Sequence, residues 1–152
     1  MASPMETDVT SVHWNTCGDK MVTSSSDCFA RVWKVDEVVP SDETGLMHKA
    51  KNFGKTMLMM SKFNKERADL IATGGHSPYV TVWNAEDPTK QVVRFDHTDR
   101  ESAQFVCKEI EWKNTKELAI SGVSKNIYLW SVDCPAAPIR KWSGHNSDIA
   151  QI

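Results

Sequence analysis

Few residues of this 152-residue chain are spaced for chemistry. His13 could act as a general base, but no Ser or Cys nucleophile is positioned to partner it, and a strand-lining histidine is the expectation. Glu109 and Glu111 stand two apart, which on a strand puts both carboxylates on one face, toward solvent or a basic neighbour. Gly74-Gly75-His76 has the look of a glycine-rich phosphate loop, yet it lies between two strand-like stretches and reads as a tight turn. The five histidines form no HxH or HxxxH pair and the four cysteines, Cys17, Cys28, Cys107 and Cys134, no CxxC pair. A metal site is therefore not expected, and the cysteines read as reduced small hydrophobes. GxSxG, P-loop and HExxH motifs are all absent from the sequence. The expectation is a protein without catalytic activity and without a cofactor.

The elements that carry these residues repeat. Trp14, Phe63 and Trp112 recur at intervals of 49 residues, and Trp33, Trp83 and Trp130 at intervals of 50 and 47. Each member of the second set closes the same kind of stretch: an apolar pair, a turn of small residues, then an alternating run such as Tyr79-Val80-Thr81-Val82-Trp83. Period-2 alternation marks half-buried strands. The first unit predicts strands over 9–14, 21–24 and 29–35, with 46–53 as a weaker fourth. The second predicts strands over 57–63, 70–73, 79–83 and 91–95. The third predicts them over 105–112, 118–121, 127–132 and 139–142. No helix-period segment of useful length interrupts them.

Self-similarity at 40–50 residues with four strands per unit is the mark of a β-propeller, one blade per unit. The predicted blades span 8–53, 55–97 and 103–145, and 148–152 is expected to open a further blade with its first strand. A closed propeller needs about four to eight blades. The expectation is thus an all-β partial propeller within residues 1–152, a fragment of a longer, seven-bladed protein. The alternative is two chains closing one ring by self-association.

Composition sets outer bounds. The formal net charge is −2, with 18 basic and 20 acidic residues, and offers no bulk attraction for nucleic acid or anionic lipid. The longest apolar run, Met57-Leu58-Met59-Met60, is far short of the ~18 residues of a membrane span. Residues 1–8 lack the basic and apolar regions of a secretory signal, and an intracellular location is expected.

The same residues resemble the WD-repeat family. Its pattern has a Gly-His pair before the first strand of a blade, an Asp in the turn between second and third strands, and a Trp-Asp pair at the end of the third. Gly144-His145 matches the first element and Asp96-His97 matches it in part, while Asp27 stands six residues before Trp33. The resemblance implies a hydrogen-bonded blade network, here drawn from Asp27, Thr23, Trp33, His97, Trp83, Trp130 and His145. Departures are frequent. Ser77 and Ser124 occupy the turn-aspartate position, and Lys34, Asn84 and Ser131 follow the three tryptophans. No unit keeps the whole set, so hydrophobic stacking between blades is expected to hold the fold instead.

The stretches Asp8-Val9-Thr10-Ser11-Val12-His13-Trp14, Phe29-Ala30-Arg31-Val32-Trp33 and Pro138-Ile139-Arg140-Lys141-Trp142-Ser143-Gly144-His145 are similar to transducin-β-like co-repressor subunits. That resemblance implies a nuclear scaffold with co-repressor, histone deacetylase and histone-tail partners. A WD-repeat adaptor in ubiquitin ligation, trafficking or G-protein-like signalling is the alternative.

Recognition residues concentrate on loops held by a rigid scaffold. The partner-binding face is therefore expected where the second strand turns into the third. It would carry His76, Tyr79, Lys125 and Asn126, with Asp99, Arg100 and Glu101 beside them, and Cys28, Pro78, Asn146 and Ser147 nearby. Tyr79 and Arg100 are the first candidates for anchors, since Tyr and Arg dominate protein–protein hot spots. A basic histone tail would need an acidic face, which Asp96, Asp99 and Glu101 offer weakly.

Overall fold

The computed structural model describes residues 6–35, 47–98 and 104–152. Three four-stranded antiparallel sheets follow one another along the chain, each joined in sequence order. The first holds β1 (Val9–Trp14), β2 (Lys20–Ser25), β3 (Phe29–Lys34) and β4 (Met47–Asn52). The second holds β5 (Leu58–Phe63), β6 (Leu70–Gly75), β7 (Tyr79–Asn84) and β8 (Gln91–Asp96). The third holds β9 (Cys107–Trp112), β10 (Glu117–Gly122), β11 (Asn126–Ser131) and β12 (Arg140–Ser143). Every described strand predicted from the alternation is present. The weak candidate at 46–53 is β4, held by pairing with β3 rather than by its own apolar content. Residues 36–46, read as a loop, lie outside the described residues.

Residues 148–152 differ from expectation, for they form no strand. No described strand lies beside them to take up a ladder of hydrogen bonds. The Ile149 N–H instead reaches the carbonyls of Gly122 and Ser124, both at 3.2 Å, and the side chain is buried there.

The sheets stack face to face through apolar side chains. Val22, Ala30 and Val32 of the first sheet pack on Leu58, Phe63, Ile71 and Trp83 of the second. Ala72, Val80, Val82 and Phe95 of the second pack on Ile110, Trp112, Ile120, Tyr128 and Trp130 of the third. Full burial of side chains of this size contributes about 1.5–3 kcal/mol each. Trp83 and Trp130 are both wholly buried, whereas Trp33 lies on the uncovered face of the first sheet and is only half-buried.

The innermost strands are also tied side chain to backbone at a constant spacing. Ser11 Oγ accepts the Ser61 N–H at 3.1 Å and His13 Nδ1 accepts the Phe63 N–H at 3.2 Å. Between the next pair, Trp112 Nε1–H donates to the Lys62 carbonyl at 3.2 Å and Asn64 Nδ2–H to the Asn114 carbonyl at 2.9 Å. Burial and the Lys62 ammonium both hold His13 below the ordinary histidine pKa, which keeps the ring neutral and able to accept. His13 is a strand-lining histidine with a structural partner.

A run of polar groups buried between the first two sheets is paired, as burial demands. Trp83 Nε1–H donates to Thr73 Oγ1 at 2.9 Å, Thr73 Oγ1 lies 2.7 Å from Ser61 Oγ, and Ser24 Oγ–H donates to Ser61 Oγ at 2.6 Å. The run crosses from the second sheet to the first. Trp33 Nε1–H repeats the first step with Thr23 Oγ1, also at 2.9 Å. A Trp–Thr step of the blade network thus exists in two sheets, beside the apolar stacking between them. A tryptophan and a threonine ten residues apart suffice to form it.

Candidate interaction surface

Strand register places several connections at one end of the stack. Phe29 pairs with Asn52, Tyr79 with Asp96, Leu58 with Gly75, Cys107 with Gly122 and Asn126 with Ser143. The turns at 26–28, 76–78 and 123–125 therefore share that end with residues 53–57, 97–98, 104–106 and 144–148. In the first turn, the N–H of Cys28 closes on the Ser25 carbonyl at 3.2 Å with Cys28 at φ 73°.

Four of the sequence candidates are brought together on this face. His76 is exposed in the β6–β7 turn and Lys125 in the β10–β11 turn. Tyr79 is half-buried at the start of β7, its ring 4.1 Å below the Arg94 guanidinium carbon. Asn126 Oδ1 accepts the Ser143 Oγ–H at 2.6 Å, which commits that oxygen to the sheet edge. Asp99, Arg100 and Glu101 lie outside the described residues. Cys28 and Pro78 are half-buried, and Asn146 and Ser147 exposed, at the same end.

The blade-network candidates divide. Asp27 makes no histidine contact among the described residues. It accepts the Phe29 N–H at 3.0 Å and an Arg31 N–H at 3.1 Å, and the Arg31 hydrogen bond holds its carboxyl below the usual range. His97 is buried at the interface of the second and third sheets, stacked on Phe105 at 4.2 Å and edge-on to Tyr128 and Trp130. There it serves as an aromatic filler. His145 is exposed, outside the interfaces.

The two ends of the stack differ electrostatically. At the far end charges neutralise each other: Lys20 and His48 meet Glu86, Lys65 meets Glu111, Lys113 meets Glu117 and Lys116 meets Asp133. Glu109 and Glu111, read as facing solvent or a basic neighbour, both meet Lys62, at 2.5 and 3.2 Å. At the turn end, Lys51, Arg94 and Lys125 have no carboxylate within ion-pair distance among the described residues. Asp96 is occupied locally, accepting the Thr98 N–H at 2.8 Å and its hydroxyl at 2.6 Å, and these bonds lower its pKa. The described part of this face carries both signs, Asp8, Asp27, Asp96 and Asp148 against Lys51, Lys55, Arg94 and Lys125.

Sequence reasoning missed Lys51 and Arg94. They stand 43 positions apart, and only the packing of the second sheet on the first makes them neighbours around one cavity. Among the described residues no three His, Cys, Asp or Glu side chains converge as metal ligands.

A family model for the WD domain, G-beta repeat, matches residues 4–34. Human F-box-like/WD repeat-containing protein TBL1X is 27% identical over 154 residues, covering 98% of this chain and 23% of the relative. The transcriptional corepressor LEUNIG_HOMOLOG of Arabidopsis thaliana is 32% identical over 83 residues, covering 55% of this chain and 10% of the relative. The chain thus spans about a quarter or less of these relatives. The solved structure of U3-55K superposes with a TM-score of 0.77 at 13% identity, over 98% of this chain and 43% of that one. A chain of the mitotic checkpoint complex superposes at 0.76 and 13%, over 97% and 41%. At that identity the two structures speak to the fold alone, and the fold is that of part of a β-propeller.

Proposed function

From three blades of the WD-repeat β-propeller type, we propose that this chain is a non-catalytic protein-interaction scaffold, working in a nuclear transcriptional co-repressor complex that contains histone deacetylase. The observation that carries the reading is the likeness to TBL1X over 98% of the chain. The geometry agrees with a scaffold: rigid stacked sheets present one end rich in turns, with His76, Tyr79 and Lys125 on it. Tyr79 is its natural anchor, a half-buried ring with a polar tip.

The test is recovery of deacetylase activity on acetyl-lysine peptide by the tagged chain from nuclear extract. Deacetylase activity well above a tag-only control is expected, and Tyr79→Ala should lower it by on the order of tenfold, the scale of a hot-spot loss. Recovery of coat or ubiquitin-ligase subunits without deacetylase would instead support an adaptor of another kind. Histone tails are the finer part of the proposal, and Asp8, Asp96 and Asp148 are the described carboxylates of this face for a basic tail to meet.

A second reading, self-association, is favoured by the two outer faces of the stack. Val12 is 56% and Trp14 49% exposed on the first sheet, Ile139 51% and Trp142 44% on the third. These are the two faces left without a neighbouring blade, and apolar patches of this kind seek partners. Head-to-tail contact between them closes two chains into one ring. Light scattering on the purified chain should then give twice the mass of one chain. A single-chain mass excludes the ring.

A further inference from the structure

Between the first two sheets, at the turn end, a cavity of about 250 Å³ opens to solvent. Lys51 enters from β4, Arg94 and Thr81 from the facing strands of the second sheet, and Ser77 and Tyr79 from the β6–β7 turn. Among the described residues no Asp or Glu lines it. This is unusual for the molecule, because most half-buried cations here have a carboxylate beside them, as Lys20, Arg31 and Lys62 do. Lys51 has only the Pro88 carbonyl, at 2.9 Å, and the Phe53 ring, at 5.6 Å from its centroid. Burial lowers its pKa, the sign of an ammonium short of solvent and of counter-charge.

The Arg94 guanidinium carbon lies 4.1 Å from the Tyr79 ring centroid, a cation–π contact that uses none of its N–H groups. An aromatic shelf that fixes a guanidinium in this way removes rotamer freedom before any ligand arrives. The Ser77 Oγ accepts the Tyr79 N–H at 3.2 Å, which leaves its own O–H to donate. Two cations and a hydroxyl therefore line one small space that no described carboxylate lines; the Lys51 ammonium is turned to Pro88, and Asp96 is close enough to Arg94 to feel its charge.

We propose that this cleft takes the oxyanion of an acidic side chain of a partner protein, phosphoryl or carboxylate, held between Lys51 of one blade and Arg94 of the next. The proposal rests on the scaffold reading and supplies its partner chemistry. A phosphoryl group fits best, since its three oxygens can meet both cations and the hydroxyl at once.

Fluorescence anisotropy with three labelled Gly/Ser nonapeptides tests it, carrying a central phosphoserine, Glu or unmodified Ser. At low salt the phosphoserine peptide should bind tightest, the Glu peptide more weakly and the Ser peptide not measurably. Lys51→Gln and Arg94→Gln should each weaken the phosphoserine peptide by on the order of tenfold, the loss of one charge-assisted hydrogen bond. Lys34→Gln, exposed at the opposite end of β3, should leave it unchanged. Arg94 is exposed, so its variant keeps the fold and decides the matter even if Lys51→Gln does not fold. Equal binding by wild type and Arg94→Gln overturns the proposal, as does a single-stranded oligonucleotide that binds as tightly as the phosphopeptide. Phosphopeptide binding without deacetylase recovery leaves this pocket standing and removes the complex. Deacetylase recovery without phosphopeptide binding removes the pocket alone.

Discussion

Trp83→Ala is expected to destabilise the protein by about 3–5 kcal/mol, the range for deleting a large aromatic from a closed core. Trp83 is fully buried and fills the interface between the first two sheets against Val22, Ala30 and Val32. Its loss leaves a cavity, and Thr73, Ser61 and Ser24 lose the indole donor that completes their buried run. Urea unfolding should show a markedly lower midpoint, and the first sheet should lose amide-exchange protection ahead of the third. Trp33→Ala is the control. It removes the same residue type and the same Trp–Thr bond, but from a half-buried site on an uncovered face, and it should cost well under half as much. Similar losses for the two variants would mean that the interface is not where the stability lies.

Gly122→Ala is expected to be as severe by a different route, about 3 kcal/mol or more, at the upper end of steric overpacking. A methyl group at Gly122 would sit 1.9 Å from the Val106 carbonyl oxygen and 2.8 Å from its carbon. Those are backbone atoms, so no side chain can swing aside to make room. The start of β9 would have to lift from β10, and the bond from the Val123 N–H to that same Val106 oxygen at 2.9 Å would be lost. Gly144→Ala meets nothing within 4 Å and should change stability by no more than about 0.5 kcal/mol. Soluble yield and thermal melting of the two variants test this. A Gly122→Ala protein melting within a few degrees of wild type would contradict the close approach of the Val106 carbonyl to Gly122. Gly75 is the corresponding residue in the second sheet, where a methyl group would sit 2.2 Å from the Met57 carbonyl oxygen, whereas the first sheet has Ser25 at that position of the β1–β2 register.

Tryptophan spacing made the sheets legible, because an aromatic that closes a strand in each unit needs the same pocket each time. The strand ends predicted from Trp14, Phe63 and Trp112 are those observed. The strand β4 was faint because Met-His-Lys-Ala-Lys-Asn has no apolar face of its own and is a strand only by virtue of its neighbour. The repeat spacing was misleading at 148–152 for the converse reason, as a segment without an adjacent described strand edge pairs with nothing. The hydroxyl run was hidden because Ser24, Ser61 and Thr73 read singly as ordinary strand residues. Their bond across the interface depends on how two sheets meet. Lys51 and Arg94 were hidden the same way, whereas Tyr79 was found because turn position and residue type suffice to single it out.

The inner-strand ties also give assembly a direction in time. At the first junction the acceptors, Ser11 and His13, belong to the earlier sheet, and the N–H groups they receive come 50 residues later. A ribosome adding about 5–20 residues per second completes the second sheet, at Asp96, only some seconds after the first has ended at Asn52. In that interval the first sheet stands with its receiving face open, and Val22, Ala30 and Val32 on that face are what a chaperone would meet. Each arriving sheet covers the one before it and exposes a fresh face of its own, so vulnerability travels along the nascent chain one blade at a time.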